Sequence, residues 1–308
     1  MRRALFVLPF FCVLATILMV VWLHHPVAAR PSGRVDIPAS PDYLRTGSEQ
    51  DGIAAINYAR QSENLHSLQL PANYWQLSAV QQQFVLVNLE RTDRGLHPLQ
   101  MDANLSQMAA AYSKQMLDLN FFSHTSPIGG TFADRINSNP AIATQYYLAA
   151  ENLAGNPVAG AGAIYEYMYD DSAEAWGHRN NILDPALTLV GIGLVHGGPY
   201  GTISAQEFLA PASSHPYQAG TPDNVAPTIS IETPQFTAPK RLSSMALVQD
   251  NRGVTRITWF LDRIGNQPFV GPVWTLDLSH VSAGTHTLLA YTVDGAQNYA
   301  VAKYTIQV

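Results

Sequence analysis

Three residues in the middle of the chain have types and settings suited to chemistry: His124 in FFSHTSP, Glu151 in AENLAG and His178 in WGHRNNIL. Two imidazoles and a carboxylate, each set among apolar or small residues, can share a metal ion or a proton. They stand 27 residues apart from one to the next. That spacing excludes a local helical metal motif such as H-E-x-x-H, whose ligands lie one turn apart. Any site they form is assembled by the fold from three separate elements.

Those elements can be read from periodicity. Ser78 is a good N-cap, and Val80, Phe84 and Val87 recur at helical spacing up to Arg91. A second helix is predicted from about Ala103 to Leu119, with Leu105, Met108, Ala109, Tyr112, Met116 and Leu119 on one face. A short helix near Phe132 to Ile136 follows the glycines of SPIGGT, and 159–171 resumes helical spacing. After Pro185, LTLVGIGLVHG and GTISAQEFLAP read as two strands joined by the turn-rich HGGPYG. Helices followed by a few strands imply an α+β unit on a small antiparallel sheet. An internal echo precedes it. Asn57, Arg60, Leu65, His66, Leu68, Gln69, Ala72 and Asn73 recur 31 residues later as Asn88, Arg91, Leu96, His97, Leu99, Gln100, Ala103 and Asn104. Two copies are too few for a solenoid. The expectation is two similar helix-to-loop units in which His66 and His97 are surface or packing residues.

The composition narrows the function classes. The chain of 308 residues is 47% hydrophobic and 13% charged, enough apolar content for real cores. A formal charge of −6 and no basic cluster beyond Lys240-Arg241 give no case for nucleic-acid binding. Residues 4–23 are uncharged and mostly apolar, behind Arg2-Arg3. That is an export segment: a signal peptide over 1–29 ending at Val27-Ala28-Ala29, or a retained N-terminal membrane anchor. Either way the two arginines stay inside and the remainder is exported. The protein is then secreted, or anchored on the outer face of the cytoplasmic membrane, and meets the membrane only through this segment if it is uncleaved. Cys12, inside that segment, is the sole cysteine. The exported part has neither disulfides nor a Cys-based zinc site.

Residues 30–50 read as a linker, 51–77 as an N-terminal helical extension, 78–210 as the α+β domain and 211–226 as a second linker. From 227 to 308 strands are predicted at Thr228–Glu232, Leu242–Gln249, Val254–Asp262, Val273–Asp277, Thr285–Val293 and Ala300–Val308. Such spacing implies an all-β sandwich with Trp259 and Trp274 packed inward, serving as spacer or adhesive module.

VNLERTDRGLHPL, NFFSHTSP, ENLAG and WGHRNNILDP with VGIGL, in this order, resemble the bacterial branch of the CAP superfamily: cysteine-rich secretory, antigen 5 and pathogenesis-related 1 (SCP-like) proteins. The C-terminal NVAPTISIETP, GVTRITWFLD and GTHTLLAYTVDGAQN resemble bacterial Ig-like domains. The resemblance implies an α-β-α sandwich, secretion, and a cavity of two histidines and two acids. Matched by motif, the cavity members are His124, Glu151 and His178, the last opening a strand region, with Asp170 or its neighbour Asp171 as the fourth.

Two histidines can ligate Zn²⁺ or another divalent ion, but structural zinc takes four protein ligands and catalytic zinc three plus water. With His124 and His178 as the only firm ligands, metal would be held weakly, and both rings should lie within about 5 Å of each other. Without metal, the same cluster is a hydrogen-bonded charge pair. The expected function is extracellular binding of a lipid or other cell-envelope ligand with a weakly held divalent metal, the question of enzymatic activity being left open. The alternatives are a zinc-assisted hydrolase with Glu151 as base, or a surface adhesion protein with a vestigial cavity. Ser123 beside His124 makes no triad, and no G-x-S-x-G elbow or Walker loop occurs. Arg179, Asn180 and Asn181 are expected to fix the loop after His178, and Glu207 to stand at the cavity rim.

Overall fold

The structure, a computed structural model, describes residues 47–212, 217–218, 220–238, 240–265 and 268–308. The apolar run 4–23, Cys12 and most of the first linker lie outside the described residues. Among the described residues no helix is long and apolar enough to cross a membrane.

Helix α1 (Glu49–Ser62) opens the described chain, capped by Ser48, so it begins inside the stretch read as linker. A 3₁₀ turn at Tyr74–Gln76 leads to α2 (Ala79–Thr92), whose N-terminus carries the expected Ser78 cap in a capping box with Gln81. The echo between these segments is structural. Asn57 Oδ1 accepts from Leu68 N at 2.8 Å, and Asn88 Oδ1 from Leu99 N at 2.7 Å. Arg60 Nε donates to His66 O and Arg91 Nε to His97 O, both at 2.9 Å. Asn64 and Gly95, 31 residues apart, both turn left-handed after their helices. The copies part at the guanidinium ends. Arg91 clamps the carbonyls of Ile182, Asp184 and Leu187, whereas Arg60 pairs with Glu90 and Asp93 of the second copy.

After β1 (Gln100–Met101) and α3 (Ala103–Asp118), the chain forms a small hairpin of β2 (Thr125–Ser126) and β3 (Gly130–Thr131), then α4 (Phe132–Ser138). Strand β4 (Tyr146–Gly155) precedes α5 (Ala161–Tyr169), α6 (Gly177–Ile182), β5 (Leu189–His196) and β6 (Thr202–Pro211). The sheet runs β1-β5-β6-β4, with β1 parallel to β5 and the other pairs antiparallel. Alternation divides its residues between two layers. Val190, Ile192, Phe208 and Ala210 pack with α1, α2 and α5. Leu189, Leu209, Ala205, Ile203 and Leu153 face α3. Helix α3 lies directly on β5 because Gly191 and Gly193 have no side chain. A Cβ there would sit 2.1 Å from Leu105 C and 2.0 Å from Ala110 N. The arrangement is helix, sheet, helix.

Three features differ from the sequence reading. β4 was not predicted, because its inner half is buried on both faces and shows no alternation. His178 lies in α6, a short helix, and does not open a strand. Residues 49–62 are an integral layer: α1 packs on α5, and Glu49 accepts the Ala161 N–H at the start of α5.

Beyond residue 226 the strands are β7 (Thr228–Ile231), β8 (Gln235–Ala238), β9 (Arg241–Gln249), β10 (Val254–Leu261), β11 (Phe269–Val270), β12 (Val273–Asp277), β13 (Thr285–Asp294) and β14 (Tyr299–Gln307). All six predicted strands are present; β8 and the two-residue β11 were missed. Sheet β11-β10-β13-β14 faces sheet β12-β9-β7, with β8 on β9. Between them lie Trp259, Trp274, Leu242, Leu288, Ala290 and Ile306. The outer face of β10 and β13 is covered too. Phe260, Leu289, Tyr291 and Val293 close around Ile128 from the β2–β3 hairpin. The stretch expected to be a spacer therefore packs against the α/β domain.

Candidate functional site

His124 follows α3, placed by a hydrogen bond from Tyr112 Oη to Ser123 O at 2.6 Å. Its Nδ1 lies 2.7 Å from Glu151 Oε1, in the centre of β4. The other Glu151 oxygen pairs with Arg135 of α4, a wholly buried cation whose guanidinium lies 3.5 Å from the Tyr112 ring centre. Arg135 Nη1 also donates to His124 O at 2.8 Å. One arginine thus ties the histidine's backbone to its carboxylate partner.

His178 is built in parallel. Its Nδ1 lies 2.7 Å from Asp171 Oδ1, and Asp171 Oδ2 accepts from Arg179 N at 3.0 Å. Asn152 Nδ2 donates to His178 O at 3.1 Å, and the Tyr167 ring lies 5.3 Å away. Arg179 reaches Glu63 and Met168 O, while Asn181 reaches Asn152 Oδ1, so this segment does hold the loop. Ala175 and Trp176 both sit at positive φ, 51° and 63°. Two successive left-handed non-glycine residues are uncommon, and here the surrounding bonds hold that strained turn just before His178.

Asp170 is not the partner of His178. It forms the C-cap of α5 and is exposed, whereas the chain turns inward one residue later and buries Asp171. Glu207 is not at the rim. It lies opposite Glu151 in the β4–β6 register, fully buried, and neither carboxyl oxygen has a hydrogen-bond partner. Burial above all, then the Glu151 charge, holds its carboxyl far above the usual carboxylate range, with Arg135 pulling the other way. Ionising it would cost several kcal/mol in such a setting, so the neutral acid is the stable form.

The two imidazoles face each other with ring centres 6.5 Å apart. His124 keeps about half its side chain exposed (54%) and His178 17%, so both border solvent. Nδ1 of each ring is engaged by a carboxylate, which leaves Nε2 to meet whatever enters between them; in the tautomer with the proton on Nδ1, Nε2 is an acceptor. Two imidazoles on one tetrahedral zinc would bring their centres to about 5 Å. The observed gap is wider, and the residues as placed do not fit a tight zinc centre. Glu151 has both oxygens engaged, so it is not poised as a base on water. Among the described residues the three acidic or imidazole groups that converge within 4.8 Å of one another are Asp223, Asp250 and Asp294.

Sequence reasoning missed Arg135 and the burial of Glu207. A lone arginine between Phe132 and Ile136 carries no spacing signal. Glu207 was discoverable in principle, as a single carboxylate in the otherwise uncharged strand TISAQEFLAP.

Comparison with known proteins finds matches to parts of the chain. Residues 84–208 match the cysteine-rich secretory protein family, CAP. The chain is 37% identical over 99 residues to the "Uncharacterized protein YkwD" of Bacillus subtilis, covering 32% of this chain and 34% of that one. This chain thus spans about a third of the length of that curated relative. Among solved structures it is similar to an extracellular protein containing a SCP domain from Bacillus anthracis, with 27% identity, 56% of this chain and 44% of that chain covered, and a TM-score of 0.36. A PKD1 domain of Vibrio anguillarum Epp is similar at 20% identity, covering 28% of this chain and 96% of that one, with a TM-score of 0.24. Residues 84–208 of this chain are a CAP domain, the module of the cysteine-rich secretory protein family.

Proposed function

We propose that the protein is an exported binding protein whose CAP cavity takes a hydroxyl-bearing cell-envelope molecule between His124 and His178. The carrying observation is the matched pair of dyads, His124–Glu151 and His178–Asp171, facing each other across 6.5 Å. In that gap one hydroxyl can donate to one Nε2 acceptor and a neighbouring hydroxyl of the same molecule to the other. A divalent ion enters only if the rings close by about 1.5 Å, which makes its binding weak. Export is supported by the apolar run behind Arg2-Arg3 and by the confinement of cysteine to it. With both Glu151 oxygens engaged, hydrolysis with Glu151 as base is the weaker reading.

Calorimetric titration tests this with soluble cell-wall glycan fragments and, separately, Zn²⁺. The expected result is saturable heat from the glycan with the wild type and none with the His124→Ala, His178→Ala double variant. Equal glycan heats from both proteins would sink the binding reading. Equal Zn²⁺ heats would remove metal from this cavity.

A further inference from the structure

We propose that the C-terminal β domain is a positioning device for the cavity: it seats the tip of the His124 loop and thereby holds His124 against Glu151. His124 leads straight into the β2–β3 hairpin, which has two residues in each strand. A hairpin that short is not stable alone. Its tip, Pro127-Ile128-Gly129, packs into the other domain. Ile128 is fully buried among Phe260, Leu289, Tyr291 and Val293, all from β10 and β13. Thr258 Oγ1 donates to Ile128 O at 3.3 Å.

Polar contacts extend the seat on both sides. Ser126 Oγ accepts from Ile128 N and Gly129 N and donates to Gln115 Oε1, while Gln115 Nε2 donates to Gln297 O at 2.7 Å. Gly129 packs closely here: a Cβ would lie 2.8 Å from the end of the Gln297 side chain and 3.3 Å from Ser126 Oγ. Tyr299 Oη donates to Asp118 Oδ2 at 2.7 Å, at the end of α3 just before the loop. On the cavity side, Arg135 Nη1 takes both His124 O and Gly130 O, so hairpin and histidine move as one body. The α/β domain grips this loop at its base, and the β domain grips it at its tip. Removing the tip contact returns a two-rung hairpin to solvent with an exposed isoleucine, and His124 sits at its entrance.

Three variants of the full chain test the proposal by hydrogen exchange and ¹H–¹⁵N NMR of the histidine rings. Thr258→Val keeps shape and removes one hydrogen bond to the hairpin. Phe260→Ala opens the seat. Leu242→Ala weakens the far core of the β domain, which does not touch Ile128. In the first two, amide exchange at 124–130 is expected to quicken by about an order of magnitude. The His124 Nδ1–H signal should broaden or vanish while that of His178 persists. Leu242→Ala should change neither. Wild-type exchange and an intact His124 signal in both seat variants would overturn the proposal. So would equal acceleration in Leu242→Ala, which would assign the effect to a general loss of stability. Thr258→Val keeps the test open if Phe260→Ala fails to fold.

Discussion

Glu207 concentrates the electrostatics of the site in one side chain. It is a fully buried acid without hydrogen-bond partners, beside the ion pair of Glu151 and Arg135. Its raised carboxyl affinity for protons has a defined sign: the folded chain holds the proton to higher pH than the unfolded chain, whose glutamate ionises near 4.3. Stability is therefore lost as pH rises above about 4.3. Glu207→Gln keeps the shape and stays neutral. Urea unfolding at pH 5 and pH 8 should show the variant gaining stability on the wild type at the higher pH. An unchanged pH slope would mean that Glu207 is solvated in the folded protein. The histidines and Glu151 were legible from their settings alone. The partner of His178 was not, since choosing between Asp170 and Asp171 depends on which way one residue turns at the end of α5.

At the scale of elements, α3 lies in close contact with β5. The GIG of VGIGL puts two glycines on the same strand face, and α3 lies against both. Gly193→Ala places a methyl about where the Ala110 backbone nitrogen stands, so helix or strand must shift. The expected cost is about 1–3 kcal/mol or more, read as a lowered thermal midpoint. A variant as stable as wild type would show that α3 can lift freely. Helices α2 and α3 were readable because their apolar residues recur at helical spacing. Strand β4 was hidden, since Glu151 and Asn152 interrupt its apolar residues although both are buried and bonded. The echo at 57–73 and 88–104 was visible as identities, and its cause is a shared helix ending: an asparagine and an arginine strap the segment that follows.

On the scale of the whole molecule, the run LLAYTVD in β13 is buried on both faces because one faces the sandwich core and the other faces Ile128. A second consequence of the close C-terminal packing is the convergence of Asp223, Asp250 and Asp294. Burial first, then the charges of Asp223 and Asp250, pushes the Asp294 carboxyl up to about 6 despite its hydrogen bonds from Asn298. An acid raised in the folded state costs stability as pH climbs from about 4 to about 6. Asp250 Oδ2 is buried without a hydrogen-bond partner, while its Oδ1 accepts from Arg252 N. Asp250→Asn keeps the latter bond and removes one charge. Its thermal midpoint should exceed wild type at pH 7 and converge with it near pH 4, followed by calorimetry. A gain independent of pH would show that repulsion is not the cause.

By itself the sequence determined much of the order of helices and strands, though not α6, β4, β8 or β11, together with two cores without disulfides in the apolar composition and the three polar residues worth watching. Periodicity and local capping are properties of neighbouring residues, so they can be read along the chain. Only the tertiary structure decided that Asp171 holds His178, that Arg135 locks Glu151, that the rings stop 6.5 Å apart, and that the β domain grips the His124 loop. Each of those contacts joins residues set by the packing of separate elements, and no spacing in the chain encodes where such packing brings two side chains to rest.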